Sequence, residues 1–78
     1  MGKSPIKLNI TNNIKELRAL DGIAQEELAN AIDVTRATIS SIEKGKYNPS
    51  LELAYKIAIY FNKDIQEIFK LENTHEKN

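Results

Sequence analysis

The chain reads as an all-α domain of five short helices, with room for one small two-stranded β-ribbon formed by its two termini. Three observations carry that reading. Apolar residues recur three and four apart in short blocks rather than alternating along the chain. Polar capping residues stand ahead of most of these blocks, and Gly22 and Asp33 stand just behind the first two. No apolar run approaches the ~20 residues that a membrane span needs. Seventy-eight residues make one domain, able to bury roughly 60% of its unfolded surface.

Residues 1–11 read as an N-terminal arm in which Ile6-Lys7-Leu8-Asn9-Ile10 alternates apolar and polar, a strand signal. Asn13 offers an N-cap with Glu16 at capping-box spacing. The first helix follows to about Leu20, burying Ile14 and Leu17. It stops at Asp21-Gly22, where glycine suits the left-handed turn and Ile23 folds back. The second helix, Gln25 to Ala31, buries Leu28 and Ala29, with Ile32 and Val34 closing the turn after it. Thr35 caps the third helix, Arg36 to Glu43, whose Ile39 and Ile42 share one face. A polar loop, Lys44-Gly-Lys-Tyr-Asn-Pro49, leads to Ser50, which caps a fourth helix from Leu51 to about Phe61 with Ala54, Ile57, Ala58 and Phe61 inward. Asp64 and Glu67 open a fifth helix at capping-box spacing, burying Ile65, Ile68 and Phe69. Lys70-Leu71-Glu72 can pair as a strand with Ile6–Ile10. The main domain is therefore expected over 12–71, with a flexible polar tail over 72–78.

Composition excludes several classes of function. Without cysteine there is no disulfide framework and no thiolate metal site, which suits a reducing, cytoplasmic setting. The single histidine, His75, lies in the expected tail, far from any serine–base pairing. A glycine-rich phosphate loop, an HExxH pair and an EF-hand are all missing, so neither catalysis, nor a metal, nor a cofactor is expected. The formal net charge is zero, but its distribution is uneven. Residues 1–20 carry +3, 21–34 carry −4, 35–50 carry +2 and 51–78 carry −1. The segment around the third helix is locally basic.

Taking ~100° per residue, Ala37, Ser40, Ser41 and Lys44 fall opposite Ile39 and Ile42. A small, polar, cation-edged face suits a helix that enters a DNA groove. The run QEELANAIDVTRATISSIEK, residues 25–44, resembles the helix-turn-helix of the Cro/phage-repressor family, also called the xenobiotic-response-element type. The match rests on Gln25 opening the first of the two helices, Ala29 at their crossing, Ile39 and Ile42 in the core, and Glu43. The chain departs from that family's pattern at Ala24, where Ser or Thr usually caps, and at Asp33, where glycine usually turns.

The resemblance implies a five-helix, lambda-repressor-like domain acting as a sequence-specific, double-stranded DNA-binding transcriptional regulator, a repressor rather than an enzyme. It implies Arg36, Ala37, Ser40 and Ser41 facing bases, and Gln25, Thr35, Thr38, Lys44, Lys46, Tyr47 and Asn48 facing phosphates. It also implies a structural ion pair between Arg18 and Glu43. The segment KGKYNPSLELA, residues 44–54, is similar to the very short cytolysin-operon type of repressor. That similarity implies a homodimer on a near-palindromic operator. Tyr55, Ile59, Phe69 and Leu71 are apolar beyond the needs of the chain's own core and are expected at its interface. A different reading makes the chain an antitoxin that also binds an unidentified protein partner. That reading needs a binding segment which a short polar tail supplies poorly.

Overall fold

The computed structural model describes residues 5–73. The chain runs β1 (Leu8–Asn12), α1 (Ile14–Asp21), α2 (Gln25–Ala31), α3 (Arg36–Glu43), α4 (Leu51–Phe61), α5 (Ile65–Ile68) and β2 (Phe69–Asn73). The fold is therefore five helices plus a two-stranded antiparallel sheet, not a purely helical domain. The strands pair from Leu8 opposite Asn73 to Asn12 opposite Phe69. The pairing starts two residues later in the N-terminal arm than the alternation of Ile6–Ile10 suggested. Residues 72 and 73 belong to β2 rather than to a tail. His75 and the rest of the expected tail lie outside the described residues.

Four helices end in the same way, because each is followed by a residue that tolerates a left-handed backbone. Gly22, Asp33, Gly45 and Asn62 have φ of 66°, 62°, 76° and 57°. In each case the next N–H closes back over the last turn: Ile23 on Arg18, Val34 on Ala29, Lys46 on Ser41 and Lys63 on Ala58. This double closure satisfies carbonyls that a helix end leaves unpaired. Asp33 fills the role that glycine usually plays because Asp is among the few side chains tolerated there.

The helix starts are less uniform. Thr35 and Ser50 accept from the N–H groups of Thr38 and Leu53, as their types require. Glu67 accepts from the Asp64 N–H at 3.0 Å. Ala24 has the extended backbone of a cap but no side chain to make the bond. Asn13 does not cap α1, contrary to expectation. Its neighbour Asn12 does that work, accepting from the Ile14 N–H at 3.1 Å. Asn13 is instead drawn across the molecule, its Nδ2 donating to the Glu67 carbonyl and its N–H to that of Ile68.

Ile14, Leu28, Ile39, Ile42, Ile57 and Ile68 are the large side chains sealed from solvent, so every helix contributes to one core. Ile23, Val34, Leu53, Tyr60, Phe61, Ile65 and Phe69 pack around it. Tyr60 meets Phe61 edge to face, with ring centroids 5.1 Å apart. Among the described residues, no helix is long and apolar enough to cross a membrane.

Candidate nucleic-acid interface

α2 and α3 are joined by the tight turn Ile32–Thr35, and α3 presents opposite characters on its two sides. Ile39 and Ile42 are buried, while Arg36 and Ala37 are exposed and Ser40 and Ser41 half-buried. Ala37, Thr38 and Ser41 line a shallow depression together with Tyr47 from the following loop. Ser40 does not line it. The loop holds this arrangement because Gly45 turns left-handed and Lys46 hydrogen-bonds back to Ser41 at 2.9 Å. Lys44, Lys46 and Asn48 are exposed beside the end of α3. Asn12 adds a clamp from β1, its Nδ2 donating to the Ile42 carbonyl at 2.9 Å.

The hydroxyls expected to meet phosphate at the start of α3 are already engaged with each other. The Oγ1 atoms of Thr35 and Thr38 lie 3.1 Å apart, and Thr35 Oγ1 accepts the Thr38 N–H. A hydroxyl can still accept or donate once more.

Behind α3 lies a charged contact. Arg18 Nε and Nη2 donate to the two carboxylate oxygens of Glu43 at 2.6 and 3.1 Å, a bidentate pair. The side chains are only 14% and 5% exposed. The hydrogen bond that Arg18 donates to Glu43 raises the Arg18 pKa above its ordinary value, against the opposing effect of burial. Arg18 Nη1 also donates to the Ile23 carbonyl at 2.8 Å, which ties the pair to the α1–α2 turn. Gln25 extends the contact outward. Its Nε2 donates to Glu43 Oε1 at 3.0 Å, and its Oε1 accepts from Arg36 Nη1 at 3.3 Å. Expected to face phosphate, the Gln25 amide thus bridges the buried pair and the exposed Arg36. The Gln25 bridge was not read from the sequence, since it joins residues 11 and 18 positions apart, whereas the expected Arg18–Glu43 pair is present.

The residues expected at a dimer interface differ in how far each is exposed. Tyr55 and Ile59 are exposed on α4, at 54% and 77%, and Leu51 one turn earlier is 71% exposed. Leu71 is also exposed, but on β2. Phe69 packs against the core of its own chain, so its ring is partly used already.

A short helix crossing behind a second helix whose outer face is small, polar and cation-edged defines a helix-turn-helix DNA-binding protein. The sequence agrees: the model of the helix-turn-helix family matches residues 14–68, and the chain belongs to that family, in its Cro/phage-repressor branch. It is 61% identical over 56 residues to an uncharacterized HTH-type transcriptional regulator of Archaeoglobus fulgidus, covering 72% of this chain and 79% of that protein. It is 36% identical to the cryptic phage CTXphi transcriptional repressor RstR of Vibrio cholerae, over 74% of this chain and 52% of that one. Among solved structures it is similar to the restriction-modification controller protein C.AhdI of Aeromonas hydrophila. There the TM-score is 0.64 at 31% identity, covering 69% of this chain and 78% of that one. The chain is thus a DNA-binding protein of the transcription-regulator class.

Proposed function

We propose that the protein is a sequence-specific repressor that binds a near-palindromic operator as a homodimer, with α3 in the major groove and α2 across the backbone. The observation that carries this is the outer face of α3. Arg36 and Ala37 are exposed at its start, Ser41 follows one turn on, and Lys44 and Lys46 flank its end. Arg36 suits guanine O6 and N7, and Ala37 suits a thymine methyl. Ser40 and Ser41 are short, so they read through water and DNA shape. Lys44, Lys46, Tyr47, Asn48, Thr35 and Thr38 supply phosphate contacts from both ends of the helix.

The dimer follows from arithmetic as well as surface. One such helix reads only a few base pairs, too few against genomic competition. Pairing two of them ~34–36 Å apart overcomes that. The Leu51, Tyr55 and Ile59 stripe of α4 supports a symmetric contact, with Leu71 as an extension from the ribbon. The residues over 12–71 act as the DNA-binding unit in this reading, in the cytoplasm where the DNA is. Selection of bound duplexes from a random library should return a two-fold symmetric site with half-sites about one helical turn, ~10 base pairs, apart. Recovery of no common sequence, or of an asymmetric one, would overturn the reading.

A further inference from the structure

Asn12 belongs to β1, yet both ends of its side-chain amide are engaged outside the ribbon. Its Oδ1 accepts the Ile14 N–H at 3.1 Å, and its Nδ2 donates to the Ile42 carbonyl at 2.9 Å. The two contacts fix each other. With the oxygen turned to the start of α1, only the nitrogen can face the end of α3, and that atom is a donor. A carbonyl oxygen can accept twice, and that of Ile42 does so. Its second donor is the Gly45 N–H at 3.0 Å, the bond that begins the left-handed turn after α3. Asn12 therefore holds the atom on which that turn closes. It is itself held from the far end of the chain, because it pairs with Phe69, whose side chain packs on the core.

We infer that Asn12 is a positioning residue for the phosphate-facing loop after α3, and that through it the β1–β2 ribbon braces the DNA-facing side. The inference rests on the proposed reading of Lys46, Tyr47 and Asn48 as phosphate contacts. Gly45 has a φ of 76°, and glycine loses more conformational freedom on being ordered than any other residue. Lys46 then returns its N–H to Ser41 at 2.9 Å, and the side chains of Lys46, Tyr47 and Asn48 are exposed just beyond. A loop already held in one conformation has less freedom to lose when DNA arrives. More of each phosphate contact then appears as affinity.

The test uses Asn12→Ser in the full chain. A serine hydroxyl can still accept the N–H two residues on, but it is too short to reach Ile42. The variant keeps the start of α1 and releases the end of α3. Binding is measured across a range of salt, on the duplex recovered by selection and on a duplex of random sequence. Asn12→Ser should weaken both by the same factor, roughly two- to tenfold, the range that one lost hydrogen bond gives. The slope of log K against log salt should flatten by no more than the ~0.9 of one phosphate contact. In a Lys46→Ala background the same substitution should change the slope no further. Amide hydrogen exchange reads the turn itself. The N–H groups of Gly45 and Lys46 should exchange faster in Asn12→Ser, while those of Val34 and Lys63, which close the turns after α2 and α4, keep their wild-type rates. Equal acceleration at all four amides would mark a loss of stability rather than of position and would overturn the inference. So would wild-type binding by Asn12→Ser while Lys46→Ala flattens the slope, a result that leaves the phosphate reading of the loop intact. If Lys46→Ala flattens nothing, that reading fails, and the inference with it.

Discussion

At the two ends of α3 polar side chains are tied to one another and to the core, whereas along the outer face of α4 Leu51, Tyr55 and Ile59 stand exposed. Arg36 leans on Gln25, Gln25 on Glu43, and Glu43 on Arg18, so the start of the recognition helix is braced from inside. On α4, Leu51, Tyr55 and Ile59 are spaced four apart and form an exposed apolar stripe. Single exposed apolar residues are ordinary, but a stripe along one helix face marks a surface for another molecule. The contrast separates two ways of stabilising a small domain. The α3 side draws on contacts made within one chain, and the α4 side leaves an apolar stripe exposed, the surface that the proposed dimer would use.

The largest expected effect breaks the braced side. Glu43→Ala leaves the Arg18 guanidinium largely buried without its carboxylate partner, which costs about 3–5 kcal/mol. Urea unfolding should show the loss as a lower midpoint with an unchanged slope. A midpoint within the error of wild type would show that Arg18 finds water or carbonyl partners as good as Glu43. The next effect belongs to the α4 side. Ile59→Glu removes an apolar contact of about 1.5–3 kcal/mol per protomer and places like charges face to face across a two-fold axis. Sedimentation at micromolar concentration should give about twice the chain mass for wild type and move toward one chain mass for the variant. A wild-type monomer that binds a palindrome tightly would end the proposal of a dimer.

The difference between the two sides also explains what could be read from the sequence. The approximate ranges of α2, α3 and α4 were legible because the signals are local: an apolar period in each, and a Thr or Ser cap ahead of α3 and α4. Asp33 and Gly22 were read correctly for the same reason. The errors at Asn13, in the ribbon register and at Gln25 came from contacts made far along the sequence, although the Arg18–Glu43 pair, 25 residues apart, was expected from the resemblance and is present. Asn12 and Asn13 exchange the expected capping role because Asn13 is pulled 54 residues away, to the carbonyl of Glu67. The ribbon register is set by where α5 ends and delivers Phe69 opposite Asn12, and the alternation in Ile6–Ile10 holds no information about that. The orientation of Gln25 depends on a carboxylate 18 residues later. At the candidate site, residue types and helix face were legible, but the internal hydrogen bonds that hold Gln25, Thr35 and Thr38 were not.

A smaller effect sharpens the picture of the DNA-facing side. Lys46 is exposed, and its backbone is pinned to Ser41, so the side chain projects from a fixed point beside the end of α3. Lys46→Ala should weaken binding to selected and random duplexes alike and flatten the slope of log K against log salt by about 0.9. An unchanged slope would reduce Lys46 to a surface lysine and leave Lys44 as the cation at that end.

The smallest effect tests whether the two sides are independent. α2 begins at Ala24, whose φ of −77° and ψ of 157° are those of a capping residue, although its methyl group accepts no hydrogen bond. Glu26 and Glu27 already complement the positive end of this helix. Ala24→Ser supplies a hydroxyl that accepts from the Glu27 N–H, and Glu27 stands at the spacing that completes a capping box. Ala24 is exposed, so the added oxygen displaces no packed neighbour. The gain should be about 0.5–1 kcal/mol, seen as a rise of several degrees in Tm for a domain of this size. Because α2 lies on the braced side, that rise should be the same at low and high protein concentration. Ile59→Glu, by contrast, should change how Tm depends on concentration, since a contact between copies responds to mass action. A gain from Ala24→Ser that appears only at high concentration would mean that α2 is coupled to the α4 contact. The braced side and the α4 side would then be one cooperative unit rather than two.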